Sequence, residues 1–75
     1  MFETVAKVIS DCIGISVDQI HIESHLVNDI GLTSLDTVQV ICELEDILNF
    51  EIPEDDIMDF RTVGDVVEYL EKIVQ

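Results

Sequence analysis

The apolar residues of this chain repeat at the spacing of an α-helix, and this periodicity constrains the fold more than any other feature of the sequence. At about 100° per residue, the first segment gathers its apolar side chains on one side and its polar ones on the other. The apolar side consists of Phe2, Val5, Ala6, Val8, Ile9, Cys12 and Ile13. Gly14 follows, and glycine commonly ends helices. The sequence therefore predicts a first helix over residues 2–13.

Three further helices are predicted downstream. The last segment is apolar on one face, which consists of Val63, Val66, Val67, Tyr69, Leu70, Ile73 and Val74. Thr62 and Asp65 resemble a capping box at its start, with Asp in the place of Glu or Gln. A long central helix is predicted over about 34–48, and a short acidic one over about 53–58, where Pro53 suits the first helical position.

The segment between the first two helices has no sustained period. Its apolar residues are scattered, namely Ile15, Val17, Ile20, Ile22, Leu26, Val27, Ile30 and Leu32. A structureless loop of about 20 residues is uncommon in a compact domain, so we expect this segment to pack across the helices as a cover. The prediction is an all-α fold, a small four-helix bundle of three main helices and one short acidic helix, in a single domain over residues 1–75.

The charge balance limits the partners. The 75 residues include 3 Lys plus Arg and 17 Asp plus Glu, for a net charge of −14, yet 48% are hydrophobic, which argues against disorder. Three basic side chains can neutralise only a few phosphates, so nucleic-acid binding is not expected. The net negative charge should also cause anionic membranes to repel the chain. Its partners should be basic. The start Met1-Phe2-Glu3 lacks the basic residues of a signal peptide, and no apolar stretch approaches about 18 residues. We expect a cytoplasmic monomer without membrane insertion.

The two cysteines, Cys12 and Cys42, stand among apolar residues without CxxC spacing. This pattern is more typical of buried, reduced thiols than of a disulfide framework. Nothing else in the sequence indicates oxidative cross-linking.

The central helix carries more apolar surface than one core contact needs. One arc, the expected core face, consists of Val40, Ile41, Leu44, Ile47 and Leu48. A second arc consists of Leu35, Val38 and Cys42. It is flanked by Asp36, Gln39, Glu43 and Asp46 on one edge and by Glu45 on the other. An apolar strip rimmed by acids suits docking of a basic partner, but the same arc would also be explained if it packed under the long loop.

The start of the central helix has a chemical property of its own. Thr33 and Ser34 are both good N-cap residues, and Asp36 can close a capping box with Thr33. A phosphate attached to the Ser34 hydroxyl would lie at free backbone N–H groups and at the positive end of the helix dipole.

The run Gly31-Leu32-Thr33-Ser34-Leu35-Asp36-Thr37-Val38, followed by Glu45-Asp46 and Glu51-Ile52-Pro53-Glu54, resembles the acyl carrier protein family over essentially the whole chain. The resemblance implies that Ser34 carries covalent phosphopantetheine, which a separate transferase takes from coenzyme A. It implies a non-catalytic carrier of acyl thioesters in fatty acid or related polyketide or lipid biosynthesis.

The resemblance also implies the docking residues. The apolar contacts would be Leu35, Val38 and Cys42, and the acidic ones Asp36, Glu45, Asp46 and Glu51. They would meet basic surfaces of phosphopantetheinyl transferase and of acyl-loading, condensing and reducing enzymes. The chain departs from the family pattern at three positions, Thr33, Leu32 and Gln39. Thr33 stands where aspartate is usual before the serine, which removes one acidic contact and indicates a specialised carrier.

Other functions find less support in the residues. No Gly-x-Ser-x-Gly elbow surrounds Ser34, and His21 and His25 are interpreted as ordinary loop residues, so a catalytic serine is not predicted. No EF-hand spacing occurs among the carboxylates, so no metal site is predicted. A peptidyl or D-alanyl carrier remains an alternative, because these also use a serine at this helix start. A non-carrier acidic helical interaction module is the alternative from another class.

Overall fold

The computed structural model describes residues 1–73, and within them the chain forms four α-helices. They are α1 (Phe2–Ile13), α2 (Ser34–Leu48), α3 (Glu54–Ile57) and α4 (Val63–Ile73), with a 3₁₀ turn at Val17–Gln19. The predicted all-α fold of three main helices and one short acidic helix is confirmed. The 3₁₀ turn was not predicted.

Local capping explains where the long helices begin and end. Gly14 adopts the left-handed conformation with φ 77°, and its N–H donates to the carbonyl of Ser10 at 2.8 Å, which ends α1. At the start of α4, the Thr62 hydroxyl accepts from the Asp65 N–H at 3.1 Å, and the Asp65 carboxylate accepts from the Thr62 N–H at 3.1 Å. The predicted capping box is therefore present. Hydrogen bonds from the backbone N–H groups of Arg61, the larger cause, and of Thr62 hold the pKa of Asp65 below its usual value.

The prediction for the short helix is wrong by one residue at each end. Pro53 is the N-cap rather than the first helical residue, and Met58 follows the last helical one. The φ of Pro53 is −59°, which suits a helix, but its ψ of 144° is extended. The helix therefore begins at Glu54, after the chain has turned.

The core lies where α1 packs against both α2 and α4. The residues that these three helices bury are Val5, Ala6, Val8, Ile9, Val40, Ile41, Leu44, Val63, Val66, Val67 and Leu70. All belong to the predicted apolar faces. Ile47 and Ile73 do not follow the prediction, because 55% and 43% of their side chains are exposed. Ile47 lies at the edge of its arc in the last turn of α2, and Ile73 lies beyond the last buried residue of α4. Val74 lies outside the described residues.

The segment between α1 and α2 covers the core in part. Ile20, Leu26 and Leu32 are buried, as predicted. Three other apolar residues that we expected to pack there are exposed, namely Val17, Ile22 and Val27. Each lies in a turn of the backbone, where only some of the side chains can reach the core.

Backbone hydrogen bonds attach this cover to the start of α4. The Leu26 N–H donates to the Arg61 carbonyl at 2.8 Å, and the Gly64 N–H donates to the Ile22 carbonyl at 2.7 Å. His25 and Thr62 form an isolated antiparallel bridge between these bonds. A Cβ on residue 64 would lie 3.0 Å from the Ile22 carbonyl oxygen, so the close approach favours glycine.

Candidate functional site

Ser34 is the first residue of α2, and its side chain is exposed. Thr33 is the N-cap in an extended conformation, and its hydroxyl accepts from the Asp36 N–H at 3.1 Å. The Asp36 carboxylate accepts in turn from the Thr33 N–H at 3.1 Å. This reciprocal pair is the predicted capping box. It holds the backbone on either side of Ser34 while leaving the serine hydroxyl accessible.

The backbone around Ser34 can accommodate an attached phosphate. The Thr37 N–H donates to the Thr33 carbonyl at 2.9 Å, and the Asp36 N–H is used by the capping box. The N–H groups of Ser34 and Leu35 have no acceptor within residues 1–73. Free N–H groups and the positive end of the helix dipole favour a phosphate oxygen at this point. An exposed serine hydroxyl with these neighbours therefore fits a phosphodiester-linked group such as phosphopantetheine.

The surroundings of Ser34 do not form a nucleophile-activating arrangement. Activation of a serine needs a base within hydrogen-bond reach. Among residues 1–73, no histidine or carboxylate forms a hydrogen bond with the Ser34 hydroxyl, and Nδ1 of His25 already accepts from the N–H groups of Val27 and Asn28.

The apolar strip of α2, which consists of Leu35, Val38 and Cys42, lies on the surface. Leu35 is 76% exposed and Val38 is 54% exposed. The alternative interpretation, in which this arc packs under the long loop, is therefore wrong. The strip begins next to Ser34 and continues along the helix, so a protein that approaches the serine meets apolar side chains.

The strip borders an open groove between α2 and α3, with a volume of about 510 Å³. The α2 side is lined by Val38, Ile41, Cys42 and Glu45, and the other side by Ile52, Glu54, Ile57 and Met58. Met58 is 79% exposed, the largest exposed fraction among the exposed large apolar residues within residues 1–73. The sequence analysis did not identify Met58 as part of this surface. The available signal was a pair of apolar residues, Ile57 and Met58, at the end of an acidic turn.

The predicted acidic docking residues have different roles in the structure. Glu45 is partly buried, and its Oε2 accepts from the backbone N–H of Ile52 at 2.7 Å. Asp36 is also partly buried and closes the capping box of α2. Asp46 and Glu51 are exposed. One carboxylate oxygen of Glu45 and one of Asp36 therefore support the fold, whereas Asp46 and Glu51 face solvent.

The position of α3 depends on a contact that the sequence did not indicate. The Tyr69 hydroxyl on α4 donates to Oδ2 of Asp56 on α3 at 2.6 Å. The ring of Phe60 meets that of Tyr69 edge to face, with centroids 5.2 Å apart. The hydrogen bond to Asp56, with burial as the second cause, raises the pKa of Tyr69 to about 12. Tyr69 thereby attaches the far wall of the groove to α4.

Both cysteines are free thiols, but the expectation that they are buried is wrong for Cys42. Cys42 is exposed because it belongs to the second arc of α2, which faces away from α1. Cys12 is partly buried, and burial raises the pKa of its thiol. The carboxylates of Glu43, Asp11 and Asp36 raise it further. Cys12 is therefore a protonated thiol at neutral pH, with low nucleophilicity.

The described residues contain neither a metal-binding cluster nor a membrane-spanning helix. Within residues 1–73, no three His, Cys, Asp or Glu side chains are placed so that they could hold a metal ion together. In the same range, every helix is too short or too polar to cross a lipid bilayer.

Comparison with known proteins gives consistent matches in sequence and structure. The sequence profile of a family described as "Phosphopantetheine attachment site" matches residues 3–70. An acyl carrier protein of Clostridium perfringens is 44% identical over 70 residues, which cover 93% of this chain and 92% of that protein. An acyl carrier protein of Amoebophilus asiaticus is 41% identical over 70 residues, which cover 93% of this chain and 88% of that protein. A solved structure of a candidate acyl carrier protein from Mycobacterium tuberculosis has a TM-score of 0.90 at 30% identity and covers 96% of both chains.

Proposed function

Because the chain belongs to the acyl carrier protein family, whose cofactor is covalently attached phosphopantetheine, we propose that Ser34 is the attachment residue. The observation that supports this assignment is the exposed Ser34 hydroxyl in the first turn of α2, beside two backbone N–H groups that lack an acceptor within residues 1–73. When attached, the arm supplies a terminal thiol that holds acyl groups as thioesters.

The residues of this chain position the arm and leave catalysis to the partner enzymes. The capping box between Thr33 and Asp36 holds the first turn of α2, so the linkage point has a defined place on the surface. The N–H groups of Ser34 and Leu35 would be available to phosphate oxygens of the linkage. Tethering raises the effective concentration of the cargo at an enzyme that binds the carrier. The carrier itself contributes no catalytic group.

The partners in this proposal are biosynthetic enzymes with basic surfaces around an apolar patch. Leu35, Val38 and Cys42 supply the apolar contacts, since charge is depleted at interface centres. Asp46 and Glu51 supply the electrostatic attraction, because both carboxylates face solvent. Asp36 and Glu45 contribute through the carboxylate oxygen that the fold leaves free. The pathway we propose is fatty acid or related polyketide or lipid biosynthesis, with the chain acting as a cytoplasmic monomer.

Loading of the arm tests the assignment of Ser34. The full chain is incubated with coenzyme A and a broad-specificity phosphopantetheinyl transferase, and its intact mass is measured. We expect a mass gain of a single arm in the wild type and none in Ser34→Ala. Ser16→Ala is the matched control, because Ser16 is likewise an exposed serine at the start of a helical turn. Circular dichroism establishes that each variant is folded.

Two results would contradict the proposal. A mass gain that persists in Ser34→Ala would assign the arm to another residue. Absence of the gain in folded wild-type protein would remove the carrier function itself. The identity of the cargo separates acyl carriage from the peptidyl and D-alanyl alternatives, and mass spectrometry of protein purified from its source reads that cargo directly.

A further inference from the structure

The imidazole of His25 caps a backbone turn in the segment that leads to Ser34. Its Nδ1 accepts from the N–H of Val27 at 3.2 Å and from the N–H of Asn28 at 3.1 Å. The N–H of His25 donates in return to Oδ2 of Asp29 at 2.7 Å. The arrangement is reciprocal, like a capping box, but a ring nitrogen stands in the place of the usual side-chain oxygen.

This arrangement requires a neutral ring. A neutral imidazole has one nitrogen that donates and one that accepts, whereas the charged ring donates from both. Nδ1 of His25 must therefore be unprotonated while it accepts from Val27 and Asn28. Uptake of a proton at Nδ1 places an N–H group against two other N–H groups, and both hydrogen bonds are lost. We propose that His25 is a pH-sensitive switch that caps the Val27 and Asn28 amides when neutral and releases them when protonated. The N–H groups of Asp29 and Ile30 remain bonded to the His25 carbonyl, each at 3.0 Å.

The core limits how far the turn can open. Leu26 and Leu32 are buried on either side of it, and the Leu32 N–H donates to the Leu26 carbonyl at 2.9 Å. The Leu26 N–H is in turn bonded to the Arg61 carbonyl. These bonds do not involve the imidazole, so they persist when it is protonated. The release therefore concerns the Val27 and Asn28 amides, in the segment that leads to Ser34.

The charged residues near His25 belong to two segments. Glu23 and Asp29 lie on the cover itself. Arg61 and Asp65 belong to the segment that is bridged to His25 through Thr62, and the Asp65 carboxylate is bonded to the N–H of Arg61 at 3.0 Å. Of these groups, the Asp29 carboxylate is the one that contacts His25, through the His25 N–H. The release follows from the lost acceptor and does not require repulsion between charges.

NMR spectroscopy of the full chain tests this switch. The ring state of His25 is followed by its Cε1 chemical shift, and the Val27 and Asn28 amides by solvent-exchange protection factors, corrected at each pH for unstructured exchange. Between pH 7.5 and 5, the range in which imidazoles ordinarily titrate, we expect both protection factors to fall about three- to tenfold, as loss of a hydrogen bond predicts. The midpoint should coincide with that of the His25 ring.

Two variants assign the effect to this ring. His25→Asn supplies a preferred capping acceptor that does not titrate in this range, so its turn should be protected equally at both pH values. His21→Asn is the control, because His21 is an exposed histidine of the same segment, and it should keep the wild-type pH dependence. The proposal is overturned if the wild-type amides keep their protection while the ring titrates, or if the ring does not titrate in this range. It is also overturned if His25→Asn retains the pH dependence. None of these measurements depends on modification of Ser34.

Discussion

Substitution of Glu45 tests whether this acidic residue stabilises the fold in addition to facing a partner. Its Oε2 accepts from the Ile52 N–H at 2.7 Å and ties the end of α2 to the segment before α3. A hydrogen bond to a charged group contributes about 1.5–3 kcal/mol, and the partial exposure of Glu45 places the expected value near the lower end. Glu45→Ala should therefore lower the free energy of unfolding by about 1.5 kcal/mol, or Tm by about 6–12 °C.

The assay is urea unfolding followed by circular dichroism at the helix band, with Asp46→Ala as the matched control. Both variants remove one carboxylate from a chain of net charge −14, so relief of self-repulsion is common to the two. Asp46 is exposed and should change stability by less than about 0.5 kcal/mol. Glu45→Gln keeps an acceptor oxygen, so its stability should lie between those of Glu45→Ala and Asp46→Ala. Equal unfolding midpoints for Glu45→Ala and Asp46→Ala would refute the structural role of Glu45.

Three further predictions concern titration and docking. The pKa of the Tyr69 phenol is raised above its ordinary value to about 12, so its hydrogen bond to Asp56 should persist through pH 10 and be lost as pH rises through about 12. Absorbance near 295 nm measures the midpoint of this titration, and a midpoint near pH 10 would contradict the hydrogen bond. The pKa of Asp65 is lowered, so its contribution is complete above its unfolded pKa and disappears as pH falls through the lower folded value. Urea midpoints between pH 6 and 3 should therefore fall less in Asp65→Asn than in the wild type, and equal falls would count against that contribution. Asp46→Lys with Glu51→Lys should slow arm loading at low ionic strength, where attraction to a basic partner is strongest, while a rate equal to that of the wild type would exclude these residues from docking.

The boundaries of the three long helices were predictable because local interactions determine them. Gly14 ends α1 through its left-handed backbone, and the pairs that begin α2 and α4 lie only three residues apart. These signals depend on residues that are close together in the sequence. The position of Ser34 at a helix start could be predicted for the same reason.

The contacts that shape the groove were not predictable, because they join segments whose relative placement depends on the whole core. Glu45 reaches a backbone N–H seven residues away, and Tyr69 reaches Asp56 across the turn between α3 and α4. A helical wheel places Glu45 beside the apolar strip but does not indicate that its carboxylate turns towards Ile52. The capping role of the His25 ring was missed for a related reason, since the residues that usually cap a turn carry a side-chain oxygen.

The glycine at position 64 limits which substitutions this chain can accept. A Cβ there would lie 3.0 Å from the Ile22 carbonyl oxygen, so that carbonyl would have to move by a few tenths of an ångström. Ile22 belongs to the segment between α1 and α2, so a change at residue 64 acts on the segment that leads to Ser34, although the two residues are remote in sequence. In a library of single substitutions, residues larger than alanine should therefore be depleted at position 64, and the effect of alanine should depend on whether the Ile22 carbonyl can shift by a few tenths of an ångström.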